Sequence, residues 1–311
     1  MANYNNQNDA GIYIDPLSDW GWKTLFGSER YKEHLISFIN AVYPELKVAD
    51  ITYENVEDMG DTPLSRNARF DLVCTTESGE TVMVEVQKAA QKYFFERGLW
   101  ATSFKIRDQA QKGEWDYRLK GVYSIGILTF PPEVIEGYHW DDDSFIHTFS
   151  IRDDKNYETM TNLLRFAYIA VDKFKKTPAE LDNNLEKWVY LLQNLRRLEG
   201  RPEELKDRIF ERFFKAAEIA RMPKEQQQNY RRRIMSENDW NNAVNYAKEM
   251  GMKAGLKEGK EEGMKEGMKE GMKEGMKEER IQIAKNLLAM GMLPVDVSRA
   301  TGLPETDIER L

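Results

Sequence analysis

The amino-acid sequence predicts an α/β fold built on a mixed sheet. Residues 69–75 and 81–87 each alternate apolar and polar positions, which is typical of half-buried strands. Segments with apolar residues at helical spacing lie on either side of this pair. The predicted order of helix, three strands, helix and strand is that of an α/β domain whose sheet has both parallel and antiparallel neighbours.

Each element rests on a local pattern. The aromatic segment 19–26 and the apolar stripe 31–42 predict helices, and residues 48–53 predict the first strand. Turn chemistry at residues 77–79 joins the next two strands into a hairpin. A helix is then expected over residues 94–111, before an apolar strand at 122–130 that ends at two prolines.

The hairpin places acidic side chains on one face. If the pairing is symmetric about Ser78, Asp71 lies opposite Glu85 and shares its face with Gln87. Two carboxylates in facing positions repel each other, and a hard divalent cation would make the pair favourable. The alternative is a solvated acidic surface neutralised by Arg69. The opposite, apolar face is predicted to hold Phe70, Leu72, Cys74, Val82, Val84 and Val86.

Composition restricts the class of protein. The 311 residues are 41% hydrophobic and 32% charged, and no apolar run is long enough to cross a bilayer. The first ten residues lack the basic start and apolar core of a signal peptide, and the single cysteine, Cys74, excludes an internal disulfide. We therefore expect a cytoplasmic protein. The net charge of −8 disfavours nucleic-acid binding by the whole surface, but residues 88–120 carry a local excess of basic side chains.

The chain is expected to divide into five segments. They are a disordered N-terminus at 1–13, an α/β domain at 14–155, a helical region at 156–247, a glycine-rich repeat at 248–279 and a small helix-turn-helix-like module at 280–311. In the repeat, glycine recurs every fourth residue from 251 to 275, which predicts a solvated, marginally helical linker or an oligomerisation stalk. The final module is slightly acidic, so partner binding is as consistent with it as DNA contact.

Several of these motifs together resemble one family. The segment 19–27, Asp-Trp-Gly-Trp-Lys-Thr-Leu-Phe-Gly, is similar to the opening motif of the PD-(D/E)XK nuclease family transposases, also called the Rpn family of recombination-promoting nucleases. The segments 69–71 and 84–87 resemble that family's Asp and Glu-x-Gln strands. Residues 284–291 and 301–303 resemble its usual tail.

The resemblance implies a restriction-endonuclease-like core that cuts DNA with a divalent cation. It assigns Asp71 and Glu85 as ligands of Mg²⁺, or of Mn²⁺ or Ca²⁺, with the carbonyl of Val86 as a third ligand and Asp19 as a further candidate. Gln87 stands where much of the wider superfamily has lysine. Glutamine can orient a water but cannot stabilise charge as an ammonium does, which places the catalytic rate in question.

The same resemblance assigns basic residues to the DNA substrate, namely Lys23, Lys88, Lys92 and Arg97. For Lys23 and Arg97 the alternative is a structural salt bridge, and for Asp19 it is a helix cap. The leading hypothesis is a metal-dependent DNA endonuclease linked to recombination or mobile elements. The alternatives are a non-catalytic DNA-binding or assembly protein on a degenerate nuclease scaffold, and a protein that acts through its C-terminal module, with self-association through the repeat and that module.

Overall fold

The computed structural model of the chain describes residues 11–54, 70–90, 93–111, 113–132, 135, 138–141 and 143–311. The predictions made for residues 1–10, Arg69 and Lys92 lie outside these ranges. The chain forms two compact units, Met1–Ile234 and Met235–Leu311. The finer division into five segments stays a prediction.

The first unit contains a six-stranded mixed sheet in the order β1-β2-β3-β4-β6-β5. Its strands are β1 (Ile51–Tyr53), β2 (Leu72–Thr76), β3 (Thr81–Gln87), β4 (Val122–Leu128), β5 (Ile146–Arg152) and β6 (Thr159–Ala170). The central strands β3, β4 and β6 run parallel, and the remaining neighbours are antiparallel. The predicted α/β class with a mixed sheet is therefore confirmed.

Helices cover both faces of this sheet. Those of the first unit are α1 (Asp19–Phe26), α2 (Lys32–Val42), α3 (Phe94–Arg107), α4 (Asn184–Asn194) and α5 (Arg208–Ala217). The long α6 (Lys224–Ala289) crosses the boundary between the units and is followed by α7 (Pro294–Thr301) and α8 (Glu305–Ile308). Helix α3 ends four residues before the predicted end, at Arg107.

The main core lies between one sheet face and helices α1, α2, α4 and α5. Leu72, Cys74, Val82 and Val84 lie on this face, as predicted, and Val86 packs against its edge. Phe70 was expected there, but it packs with Val73, Met83 and Ala101 on the face that α3 covers. The chain bends at residue 71, directly before β2, so the alternation of the strand does not extend back to Phe70.

The prediction that the helical region begins at residue 156 is wrong, because Thr159–Ala170 form strand β6, which pairs antiparallel with β5. Apolar residues of this segment match helical spacing, but Ala167–Ala170 are all buried because the strand is covered on both faces. A strand buried on both faces loses the alternation that identifies it in a sequence.

The predicted disordered N-terminus also needs correction at residues 11–13. Tyr13 forms a β-bridge with Glu218, and its ring lies 5.2 Å from that of Phe214. The carbonyl of Ile12 accepts the Ile219 N–H at 3.0 Å. This short segment is therefore fixed against the end of α5.

The second unit consists of most of α6 together with α7 and α8. Its small core contains Ala284, Val297, Leu303 and Ile308. The glycine-rich repeat is helical throughout and exposed. Within the residues that the structure describes, no helix has both the length and the apolar content of a membrane span. The cytoplasmic location and the helix-turn-helix-like character of the final module stay predictions.

Candidate active site

The predicted acidic residues lie at the edge of the sheet where β3, β4 and β6 end. Parallel strands present their carboxyl ends at one edge, and Glu85 lies two residues before the end of β3. Strand β2 runs antiparallel to β3, so it begins at that edge, directly after Asp71. The pairs Val73–Met83 and Thr75–Thr81 confirm the predicted hairpin register within the strands. The predicted pair of Asp71 with Glu85 is not part of this ladder, because β2 begins at Leu72.

Asp71 is fixed by the strand beside it. Its Oδ2 accepts the backbone N–H of Val86 at 2.6 Å. The carboxylate therefore acts as the hydrogen-bond partner of β3 at a position that lies before the first residue of β2. Burial raises the pKa of Asp71, and the negative charge of Asp19 raises it further. The Val86 hydrogen bond and the charges of Lys23 and Lys88 oppose this rise in pKa. Three of the predicted site residues, Asp19, Lys23 and Lys88, therefore lie within electrostatic reach of Asp71.

Glu85 lies on the same sheet face as α3 and is half-buried. Burial raises the pKa of Glu85 from 4.5 to about 7, and the neighbouring Asp71 contributes to this rise. Arg97, on α3, is the positive charge that opposes it. This carboxyl group therefore keeps its proton to a higher pH than an ordinary glutamate does.

Asp19 and Lys23 both belong to α1 and pair with each other. Lys23 Nζ lies 2.8 Å from Asp19 Oδ1, which is the salt bridge named as the alternative for Lys23. The helix-cap interpretation of Asp19 is wrong, because Ser18 occupies that position and its Oγ accepts the Gly21 N–H at 3.0 Å. Asp19 is also 4.0 Å from Arg233.

Gln87 lies at the end of β3 and is buried, with 5% of its surface exposed. Its side-chain Nε2 donates to the carbonyl of Ala89 at 2.7 Å, which ties the side chain to the loop after the strand. Gln87 and Glu85 both line one cleft. Lys88 follows on the exposed start of the loop.

This cleft, which we call the aromatic cleft, has a volume of about 330 Å³ and lies between α3 and the sheet. Its polar wall contains Glu85, Gln87 and Arg97, and its aromatic residues are Phe70, Phe94, Trp100 and Tyr168. Sequence reasoning missed Tyr168 because its segment was interpreted as a helix. Strand register was the signal that could have found it, because Glu85 pairs with Gly126 and Gly126 pairs with Tyr168.

The donor set can be compared with the needs of a divalent cation. Among the residues that the structure describes, no group of three or more His, Cys, Asp or Glu side chains could hold a metal. Zinc sites and all-protein calcium sites need more ligands than Asp71 and Glu85 provide. Mg²⁺, however, is usually bound by one or two carboxylates together with waters and substrate phosphate. Two carboxylates therefore meet this requirement for a divalent cation, and burial raises the pKa of both.

The comparisons with known proteins agree with this geometry. A family model described as PD-(D/E)XK nuclease family transposase matches residues 16–247. No match was found among curated proteins or among solved structures. The matched range includes α1, the acidic hairpin and α3, and the Rpn subfamily is compatible with it. The chain therefore belongs to the PD-(D/E)XK nuclease family transposases.

Proposed function

We propose that the protein is a metal-dependent DNA endonuclease that hydrolyses phosphodiester bonds during transposition or recombination. The observation that carries this proposal is the pair Asp71 and Glu85 at one sheet edge, both with a pKa above its ordinary value. Membership in a nuclease family supports a hydrolase acting on phosphodiester bonds, with DNA as its substrate.

Asp71, Glu85 and the carbonyl of Val86 would hold the cation, which we expect to be Mg²⁺. When bound, the cation neutralises phosphate charge and supplies an activated water. Glu85 would hold the cation as its carboxylate, so a bound cation would favour the ionised form of a group whose pKa is about 7 in the metal-free protein. Arg97 provides a guanidinium group, which can bind phosphate with two parallel hydrogen bonds.

Cleavage of supercoiled plasmid tests this proposal, with Mg²⁺, with Mn²⁺ and with a chelator. We expect nicking only with metal, and a loss of at least about a hundredfold in Asp71→Asn and Glu85→Gln. Glu77→Gln is the matched control, because Glu77 is an exposed carboxylate at the other end of the same hairpin. Full activity in both Asp71→Asn and Glu85→Gln would contradict the assigned site.

A non-catalytic role in DNA binding or assembly is the second candidate. Its supporting observation is that Gln87, in the position of the superfamily lysine, is uncharged, buried and held by Ala89. Binding of DNA by the parent protein without cleavage under any of the metal conditions would favour this role.

Self-association through the C-terminal repeat is a separate proposal. Four methionines of the repeat expose between 51% and 76% of their surface, and apolar side chains at this exposure favour a partner. They are Met264, Met268, Met272 and Met276. Light scattering on the full chain and on a chain that lacks residues 251–311 tests the proposal, and equal numbers of subunits in both would contradict it.

A further inference from the structure

The aromatic cleft is shaped by two glycines that make room for one tyrosine. A Cβ atom on Gly126 would lie 2.6 Å from Cδ1 of Tyr168, and one on Gly98 would lie 3.0 Å from its hydroxyl oxygen. Gly126 belongs to the floor of the cleft, on β4, and Gly98 belongs to its wall, on α3. The Tyr168 ring therefore lies against the strand at Gly126 and its hydroxyl lies close to Gly98, and at Gly126 a Cβ atom would be closer to the ring than real Cβ contacts allow.

Other aromatic side chains also line the cleft. Phe70 and Phe94 are each more than nine-tenths buried, and Trp100 lies at the rim with 38% of its surface exposed. Residues 94, 97, 98 and 101 of α3 share one helix face, so Arg97 is placed on the same wall as Phe94. The cleft lining thus combines aromatic side chains with the guanidinium group of Arg97, and the carboxyl group of Glu85 also belongs to it.

A nucleobase is the ligand whose chemistry matches this set. It is flat and stacks on aromatic rings, and its edge hydrogen-bonds to polar groups such as those of Gln87 and Ser124, which also line the cleft. A volume of about 330 Å³ is at the lower end of the range for small-ligand pockets. A base inside a duplex is stacked on its neighbours and cannot enter a pocket of this kind unless it leaves the stack.

We propose that the aromatic cleft binds one unpaired nucleobase of the DNA next to the bond that is cut, so that the preferred substrate contains single-stranded or bulged nucleotides. This inference rests on the proposed function, since it names the class of DNA that the same site accepts. Trp100 closes the cleft over the base, and Arg97 binds the adjoining phosphate.

Fluorescence anisotropy with the full chain in EDTA tests the proposal without cleavage. Three labelled duplexes share one flanking sequence: one is fully paired, one has a single unpaired base, and one has an abasic residue in place of that base. We expect the unpaired base to improve affinity by about tenfold, from the usual strength of base–aromatic stacking, and the abasic residue to remove the gain. Trp100→Ala should lose the same preference and keep its dependence on salt concentration, because no phosphate contact is removed.

Leu99→Ala is the matched control, because Leu99 is exposed on the same helix and lies outside the cleft lining. It should keep the full preference, and thermal unfolding should show that both variants are folded. Equal affinity of the parent for the three duplexes, no DNA binding at all, or equal losses in Trp100→Ala and Leu99→Ala would each overturn the inference. Metal-dependent cleavage without the preference would leave the proposed function intact, whereas the preference without any cleavage would support the cleft and refute the endonuclease.

Discussion

Glu85→Gln should stabilise the metal-free protein at neutral and alkaline pH. The pKa of Glu85 is raised from 4.5 to about 7, and each unit of pKa corresponds to 1.36 kcal/mol, so the ionised group destabilises the fold by about 3 kcal/mol. Between pH 4.5 and 7 the folded state holds a proton that the unfolded state has released. Stability is therefore lost as the pH rises through this range and is constant above it.

Urea unfolding in EDTA, from pH 4.5 to pH 8, measures this effect as the difference in unfolding free energy between the parent and Glu85→Gln. Glu77→Gln provides a control, because the pKa of Glu77 is shifted in the opposite direction and its effect on stability depends on pH with the opposite sign. The Glu77 carboxylate accepts the N–H groups of Ala49 at 2.8 Å and Asp50 at 3.1 Å, which lowers the pKa of Glu77. The stability that Glu77 contributes is present above pH 4.5 and is lost as the pH falls.

Parallel pH profiles for the parent and Glu85→Gln would refute the reasoning, because they would mean that burial and Asp71 do not perturb this group. Added Mg²⁺ gives a second measurement. Binding to the folded state alone stabilises the parent by RT ln(1 + [Mg²⁺]/Kd), and this gain should be largest at pH 8, where Glu85 is ionised. Glu85→Gln should show little of it.

Three further predictions concern the scaffold. Gly126→Ala should lower the unfolding free energy by about 1–3 kcal/mol, because the new methyl group would lie 2.6 Å from Tyr168; an unchanged urea midpoint would contradict this. Gly259→Ala meets no atom within 4 Å and should slow amide hydrogen exchange across the repeat about fivefold, from the roughly 1 kcal/mol difference in helix propensity, whereas unchanged rates would show that propensity does not limit this helix. Burial raises the pKa of Cys74 to about 12, so a disulfide reagent at pH 8 should label it only in urea, and rapid labelling of the folded protein would refute its burial.

The acidic hairpin could be predicted from the sequence because its information is local. Alternation fixed which residues of β3 share a face, and the turn at Ser78 fixed the register, so the pairing of Val73 with Met83 followed. The bend at Asp71 could not be predicted in this way. At this position the Val86 N–H donates to the carboxylate of Asp71 and not to a backbone carbonyl of a neighbouring strand, and strand alternation does not indicate such a contact. The same bend moves Phe70 to the other face.

The aromatic cleft could not be predicted, because it is assembled from distant segments. To predict its floor, one must know how β3 pairs with β4 and how β4 pairs with β6. The sequence pattern of β6 indicates a helix, so the second of these pairings could not be predicted. The local sequence does not show which distant strands pair in parallel. A strand that is covered on both faces also lacks the alternation of apolar and polar residues that identifies a half-buried strand. The sequence also does not indicate why residue 126 is glycine, because the Tyr168 ring that leaves no room for a Cβ atom there comes from a distant strand.

Arg97 places a positive charge near Glu85, and the effect of this charge on the carboxyl group can be measured without cleavage. Its charge lowers the pKa of Glu85 against the effects of burial and Asp71. Because Arg97 is on α3 and Glu85 is on β3, the separation of the two groups depends on how the helix packs over the sheet. Arg97→Gln should therefore move the Glu85 transition in the metal-free pH series to a pH above 7, while Arg97→Lys keeps it lower because the charge is retained. A transition at the same pH in Arg97→Gln and in the parent would mean that Arg97 lies beyond the electrostatic reach of Glu85, and the assignment of Arg97 to the charge of this site would then be wrong.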